Sequence, residues 1–111
     1  MPVVALTTVG RRSGQQRVTM LTTPVHDEDR VVLVASKGGA DAHPSWYVNL
    51  REHPQVTVRL AGRTRSMLAR TANAAEKAEL WPAIVAAYRG YAAYQEKTSR
   101  DIPVVILEPV S

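Results

Sequence analysis

The chain contains no cysteine, which excludes disulfides, thiol catalysis, CxxC redox chemistry and thiolate metal sites together. It contains no phenylalanine either, so two tryptophans and four tyrosines supply all of its aromatic surface. No apolar run approaches the roughly 20 residues that cross a bilayer as a helix, so no transmembrane segment is expected. The N-terminal stretch is apolar but short, and no A-x-A-like cleavage site ends it, which argues against a secretory signal. Its three histidines, His26, His43 and His53, show no HExxH-like spacing, so no metal is expected. The sequence supports no Ser/His/Asp arrangement. A cytoplasmic location fits these absences.

What is present describes a globular protein. Its 111 residues are 45% hydrophobic and 22% charged, the balance of one domain spanning the chain from 1 to 111. The formal net charge of +4 is uneven. Ten basic and five acidic residues lie up to Arg70, against four and five beyond it. A basic surface attracts polyanions such as nucleic acid, acidic lipid or a phosphorylated small molecule. Nucleic acid is not expected, because the aromatics are not interleaved with the basic residues as a stacking platform requires.

Local patterning predicts about six strands. Val3–Val9 is β-branched and ends at Gly10; Arg17–Val25 is again β-prone, and Pro24 marks an edge or a bulge. Val31–Ala35 is an unbroken apolar run, as in a strand buried on both faces. Val56, Val58 and Leu60 alternate with polar or small residues, and Gly62 turns the chain into a further strand to Arg70. A last strand lies between Pro103 and Pro109. A helix is expected from Ser45 to about Glu52, bounded by Pro44 and Pro54. A second helix follows the cap residue Asn73, with a break near Trp81 imposed by Pro82 and a new stretch to Tyr88. Hairpins outnumber β-α-β units, so the fold class is α+β, mainly β. The expected architecture is a small barrel or strongly curved sheet with helices packed outside it.

Four constellations carry chemical potential. Gly10–Arg17, GRRSGQQR, gathers Arg11, Arg12 and Arg17 with Ser13 and Gly14 between two strands. Arginine forks and free glycine amides suit phosphate or carboxylate, and an ordinary basic hairpin loop is equally open. Neither Walker nor GxGxxG spacing is present. Ser36-Lys37-Gly38-Gly39 follows the buried strand and offers a hydroxyl, an ammonium and free amides, or simply a glycine turn. Trp46, Leu50 and Tyr47 stand at helical spacing that suits core packing, with Asn49 outside that stripe. Tyr88, Tyr91 and Tyr94 follow at i, i+3 and i+6, either as a packing face or as a set of phenol donors.

Taken in order, TTVGRRSGQQR, VASKGGADAHPSWYVNL and AELWPAIVAAYRGYAAYQEKTSRDIPVVILEP resemble the deazaflavin-dependent nitroreductase family, over nearly the whole chain from Leu6 to Pro109. The elements G-x-x-S-G-x-x-R and S-x-G-G-x-x-x-x-P-x-W-Y-x-N-L, at this separation, carry the likeness. The resemblance implies a split β-barrel oxidoreductase that uses coenzyme F420, an 8-hydroxy-5-deazaflavin bearing a phosphodiester and a glutamate tail. It implies hydride transfer from reduced F420 to an electrophilic small molecule such as a nitroaromatic, a quinone or an activated alkene. By this likeness Arg11, Arg12, Ser13, Gly14 and Arg17 would bind phosphate and tail carboxylates. Lys37, Gly38 and Gly39 would lie near the deazaflavin or phosphate. Met20, Leu21, Trp46 and Asn49 would complete the cofactor pocket. Tyr88, Tyr91, Tyr94 and Ser36 would face substrate, with Tyr94 or Tyr91 as proton donor and Ser36 bonding the substrate.

Three departures qualify the likeness. Met20 stands where relatives often have proline. Thr22 replaces a tyrosine of the nitroimidazole-reducing relative, which points toward a quinone, an enone or another activated alkene. The sequence begins nine residues before Gly10, without the N-terminal helix of relatives, so peripheral membrane contact stays open. An FMN-binding split-barrel flavoprotein and a non-catalytic carrier of F420 or a lipophilic ligand are the alternatives. Pairing into a homodimer is a further expectation, since a single core of this size is not generous.

Overall fold

Alternation along each strand decides how the sheet is used in this computed structural model, which describes residues 1–110. Strands β1 (Val3–Val9), β2 (Gln16–Thr22), β3 (Val25–His26), β4 (Val31–Val34), β5 (Gln55–Leu60), β6 (Arg63–Thr71) and β7 (Val104–Pro109) form one sheet. Its order is β2-β1-β5-β6-β7-β4-β3, with every pair antiparallel. Helices α1 (Ser45–Glu52), α2 (Ala74–Ala87) and α3 (Gly90–Lys97) and a 3-10 turn at Lys37–Gly39 complete the fold.

Only Thr23 and Pro24 separate β2, at one edge of the sheet, from β3, at the other. The sheet must therefore curl until its edges nearly meet, which makes a split barrel. Thr23 holds that seam from a fully buried position. Its N–H donates to the Pro2 carbonyl at 3.0 Å, and its hydroxyl is shared between the carbonyls of Val32 at 2.7 Å and Val25 at 2.9 Å. The proline does mark an edge, as its missing donor requires.

Two apolar layers result. Val4 and Leu6 of β1, Val56 and Val58 of β5, Met67 of β6, Val31 and Leu33 of β4 and Leu107 of β7 fill the barrel, which α1 closes with Trp46, Tyr47 and Leu50. Across the sheet, Val32, Val34, Val104 and Ile106 pack against Leu80 and Ile84 of α2 and Tyr91 of α3. β4 is buried on both faces throughout, as its unbroken apolar run demands. No helix is long and apolar enough to cross a membrane, among the described residues.

Helix α1 begins just after Pro44 and ends before Pro54, as those residues dictate. Asn73 caps α2 through a reciprocal box: its side chain accepts from Glu76 N–H at 2.8 Å while Glu76 accepts from Asn73 N–H at 3.0 Å. Three expectations need correction. The strand count is seven, because Val25 and His26 pair with Val32 and Val31 across a turn fastened by the Asp27 carboxylate. Helix α2 does not break near Trp81. Pro82 lies on the solvent side, as does Ala78, whose carbonyl it leaves without a helical donor; Leu80 and Ile84 anchor both halves of the helix in the core. The interruption comes later, at Tyr88, whose backbone is extended (φ −156°, ψ 111°), so Tyr88 does not continue the helix carrying Tyr91 and Tyr94.

Candidate functional site

The basic loop is a β1–β2 hairpin connection built around two glycines. Gly10 N–H donates to the Gln15 carbonyl at 2.7 Å, and Gly14 N–H donates back to Gly10 at 2.9 Å. A Cβ on Gly10 would sit 2.8 Å from the Ser13 hydroxyl oxygen and 3.2 Å from the Gln15 carbonyl, so a side chain there would displace Ser13 and strain the loop. Ser13 Oγ accepts from Gln15 N–H at 3.2 Å and so shapes the loop. Asn49 of α1, only 5% exposed, ties the loop down. Its Oδ1 accepts from Arg11 N–H at 3.2 Å and from Arg11 Nη1 at 2.9 Å.

Between this loop, β2 and the start of α1 lies a cleft of about 440 Å³. Arg11, Arg12, Ser13, Arg17, Trp46 and Asn49 line it, with Gly10, Val18, Thr19 and Ser45. No carboxylate does. Among the described residues Arg12 and Arg17 make no ion pair, so the cleft presents uncompensated positive charge to an anion.

The Lys37–Gly39 turn lies against α3. Lys37, Gly38 and Gly39 all have positive φ, at 46°, 62° and 81°. A Cβ on Gly39 would meet the Tyr94 carbonyl at 2.9 Å and the Lys97 side chain at 3.1 Å, which explains that glycine. Lys37 is exposed and, among the described residues, has no acidic partner.

The tyrosines do converge, although the chain breaks at Tyr88. Ring centroids lie 5.3 Å apart for Tyr88 and Tyr91, 6.2 Å for Tyr88 and Tyr94, and 6.3 Å for Tyr91 and Tyr94. The Tyr88 and Tyr94 hydroxyls are 3.3 Å apart. Burial holds the Tyr91 phenol above its ordinary value, and the hydrogen bond with Tyr94 does the same for Tyr88, so both are protonated at neutral pH. Tyr91 also reaches toward the far end of β2: Met1 Sδ accepts from its hydroxyl at 3.7 Å, and Thr22 offsets part of the upward shift that burial imposes. Strand β2 thus runs from the cleft at Arg17 to the tyrosine end at Thr22, ~17 Å at ~3.4 Å per residue, with those two side chains on opposite faces of the strand.

Not every predicted residue faces this track. Arg17, Thr19 and Leu21 alternate with Val18, Met20 and Thr22, and Leu21 packs against the barrel interior while Met20 stands 64% exposed on the opposite face. The residue pattern singles out neither Ser45 of the cleft nor Arg100, which threads the Ser36–Ala40 segment. Arg100 left a faint signal: a lone arginine in a Thr-Ser-Arg-Asp stretch between α3 and β7.

The family described as F420H(2)-dependent quinone reductase matches residues 1–109. The chain belongs to that family. Membership makes it an oxidoreductase that works with coenzyme F420, and the family's acceptors are quinones. The F420H(2)-dependent quinone reductase Rv1261c of Mycobacterium tuberculosis is 36% identical over 109 residues, 96% of this chain and 72% of its own length. Rv3178 of the same organism is 36% identical over 98% of this chain and 91% of its own length. The solved structure of F420-H2 dependent reductase FDR-A superposes with a TM-score of 0.86 at 41% identity, over 96% of this chain and 94% of that one. A FAD-binding protein from Mesorhizobium loti shares only the fold, with a TM-score of 0.69 at 11% identity over 100% of this chain and 81% of that one. This quinone reductase family chain therefore has the split-barrel architecture that the family resemblance implied, and the curved sheet with helices outside it that its hairpins predicted.

Proposed function

We propose that the cleft between the Gly10–Arg17 loop and α1 binds the anionic end of F420, and that the deazaflavin lies along β2 toward the tyrosines. The observation that carries this reading is the carboxylate-free lining of the cleft by Arg11, Arg12 and Arg17. A phosphodiester and tail carboxylates suit such a surface, since arginine forks pair with both groups bidentately. Asn49 fixes Arg11 through two bonds, so one fork is pre-positioned rather than mobile. Trp46, at the start of α1, supplies an apolar wall. Lys37 and the Gly38 amide supply a second cationic edge, next to α3; the expected Gly39 amide drops out, because its N–H donates to the Ser36 carbonyl at 2.9 Å.

When bound, reduced F420 supplies a hydride from C5 to an acceptor held face to face with its ring. The chain has to align the acceptor, exclude water and deliver one proton. Tyr94 or Tyr91 delivers it in this reading, as phenol donors whose rings lie 6.3 Å apart. A quinone that receives one hydride and one proton becomes a hydroquinone, with no nucleophile or metal required. Ser36, at the stem of the Lys37 turn, bonds the substrate in this reading.

Fluorescence titration with F420 and, in parallel, with FMN at two salt concentrations tests the reading. Salt-sensitive F420 binding with little FMN binding supports it, and F420H2-dependent reduction of a benzoquinone completes the test. FMN binding instead would return the chain to the flavoproteins. Tight F420 binding with no acceptor reduced would make it a carrier.

A second copy is the partner this reading adds. The outer face of β2, β1, β5 and β6 carries no helix and exposes Val3, Val18, Met20 and Leu68. A solved chain described as a domain-swapped dimer shares 41% identity over 96% of this chain and 80% of its own, with a TM-score of 0.87. Sedimentation velocity distinguishes a dimer from a monomer. A cytoplasmic location completes the reading.

A further inference from the structure

We infer that Arg100 is a positioning residue for cofactor binding, one that holds the Ser36–Ala40 segment in the shape that presents Lys37 and the Gly38 amide. This inference rests on the reading that the turn contacts F420.

The guanidinium spans both stems of the segment. Nη1 donates to the Ala35 carbonyl at 3.1 Å, Nη2 to the Ser36 carbonyl at 2.7 Å and Nε to the Ala40 carbonyl at 2.7 Å. Nη1 also donates to His43 Nδ1 at 3.0 Å. A planar fork places fixed donors on three separate nitrogens and so reaches carbonyls on both stems at once, a spread that the single nitrogen of an ammonium does not cover. The segment needs such a clamp, because Lys37 takes a left-handed conformation that a side chain resists and the two glycines after it gain nothing from being ordered.

Arg100 is itself held by α3. Gln95 Nε2 donates to its carbonyl at 2.8 Å, and its N–H donates to the Thr98 hydroxyl at 3.2 Å. That hydroxyl donates to Asp41 at 2.8 Å, fastening the segment a second time. On the other side, the His43 ring packs edge-on against Tyr47 of α1 at 5.0 Å. Arg100 therefore joins the helix bearing Tyr91 and Tyr94 through its backbone, the Lys37 turn through its guanidinium and the helix bearing Asn49 by way of His43. Every partner of the guanidinium is neutral, and among the described residues no carboxylate pairs with it. Its charge stays beneath the turn and adds to that of Lys37 in attracting an anion.

The test compares the parent protein with Arg100→Met and Arg100→Lys. F420 affinity is read by fluorescence, KM and kcat with a benzoquinone acceptor, and amide exchange at Gly39 and Ala40 against Val32 and Ile106. The expected result for Arg100→Met is a roughly tenfold rise in both Kd and KM for F420, with kcat within about threefold. Exchange at Gly39 and Ala40 accelerates while the two strand amides keep their protection. Arg100→Lys, which keeps the charge but not the fork, falls between. If exchange accelerates yet F420 affinity stays the same, Arg100 is a staple only and the inference is overturned. A fall in kcat at constant KM overturns it too. Should Arg100→Met fail to fold, Arg100→Lys decides alone, since an unchanged Kd there removes the role. A parent protein that binds no F420 would overturn the cofactor reading first and this role with it, whereas F420 binding indifferent to Arg100 removes only the latter.

Discussion

The two halves of the sheet are treated differently by the rest of the chain. Strands β7 and β4 lie between the barrel interior and the α2–α3 layer, so nearly every side chain on them is buried. Strands β2 and β1 have one covered face and one bare face, and β2 is exposed along most of its length. Candidate cofactor contacts gather on the bare half, at the hairpin loop and along β2, while the doubly buried half carries its candidate residues only where the chain leaves it, at Ser36. Rigid packing and access to a ligand are thus divided between two ends of one sheet.

Core substitution should break that contrast most sharply. Leu33→Ala, inside the barrel, is expected to cost about 3 kcal/mol in urea unfolding. Val18→Ala, at 66% exposure on β2, should stay within about 0.5 kcal/mol. A comparable cost at Val18 would mean that the bare face is covered in solution, and its dependence on protein concentration would identify a second copy as the cover.

The next effect separates chemistry from binding. Tyr94→Phe keeps the ring contacts with Tyr88 and Tyr91 and removes one hydroxyl. Turnover with a benzoquinone should fall roughly tenfold or more, with F420 affinity unchanged. Unaltered turnover would pass the proton to Tyr91 or to solvent. A smaller effect tests the other end of β2. Arg17→Ala should weaken F420 binding about threefold to tenfold and flatten its salt dependence, because an exposed guanidinium acts through screened charge. A Kd that does not move would exclude Arg17 from the cleft's function.

Much of the fold was legible because its signals are local. The apolar run at Val31, the Pro44 and Pro54 boundaries of α1 and the Asn73 cap each act within a few residues. Pro82 misled because its cost depends on which side of the helix faces water, which a tertiary contact decides. The split of Arg17–Val25 into two strands at opposite edges of the sheet was hidden for a related reason: Thr23 bonds to Val32, and that pairing is not local. The basic loop and the tyrosines were visible as residue types, and the Asn49–Arg11 bond across 38 positions shows why two such signals belong together. Arg100 was missed because its partners are backbone carbonyls, which no side-chain pattern announces.

The smallest predicted effect bears on that clamp through pH. Burial, followed by the nearby charges of Arg100 and Arg51, holds His43 below its ordinary value of about 6.5. Its neutral ring accepts the Arg100 bond, and a protonated ring cannot. Between the folded and unfolded values the unfolded chain carries a proton that the folded chain refuses. The contribution of His43 to stability is therefore complete above about pH 6.5 and declines as the pH falls below it. The carboxylates held low, Glu76 by its bonds from Asn73 and Arg70 and Asp27 by its bonds from Asp29 and Arg30, also lose their contribution as the pH falls, but only below their ordinary values of 4.5 and 3.8. Lowering the pH from 7.5 to 5.5 should thus reduce the urea midpoint slightly in the parent and less in His43→Gln, whose amide oxygen still accepts from Arg100 without titrating. Equal losses in the two proteins would show that His43 does not sense pH through the clamp, and would leave Arg100 to hold the turn by its three carbonyls alone.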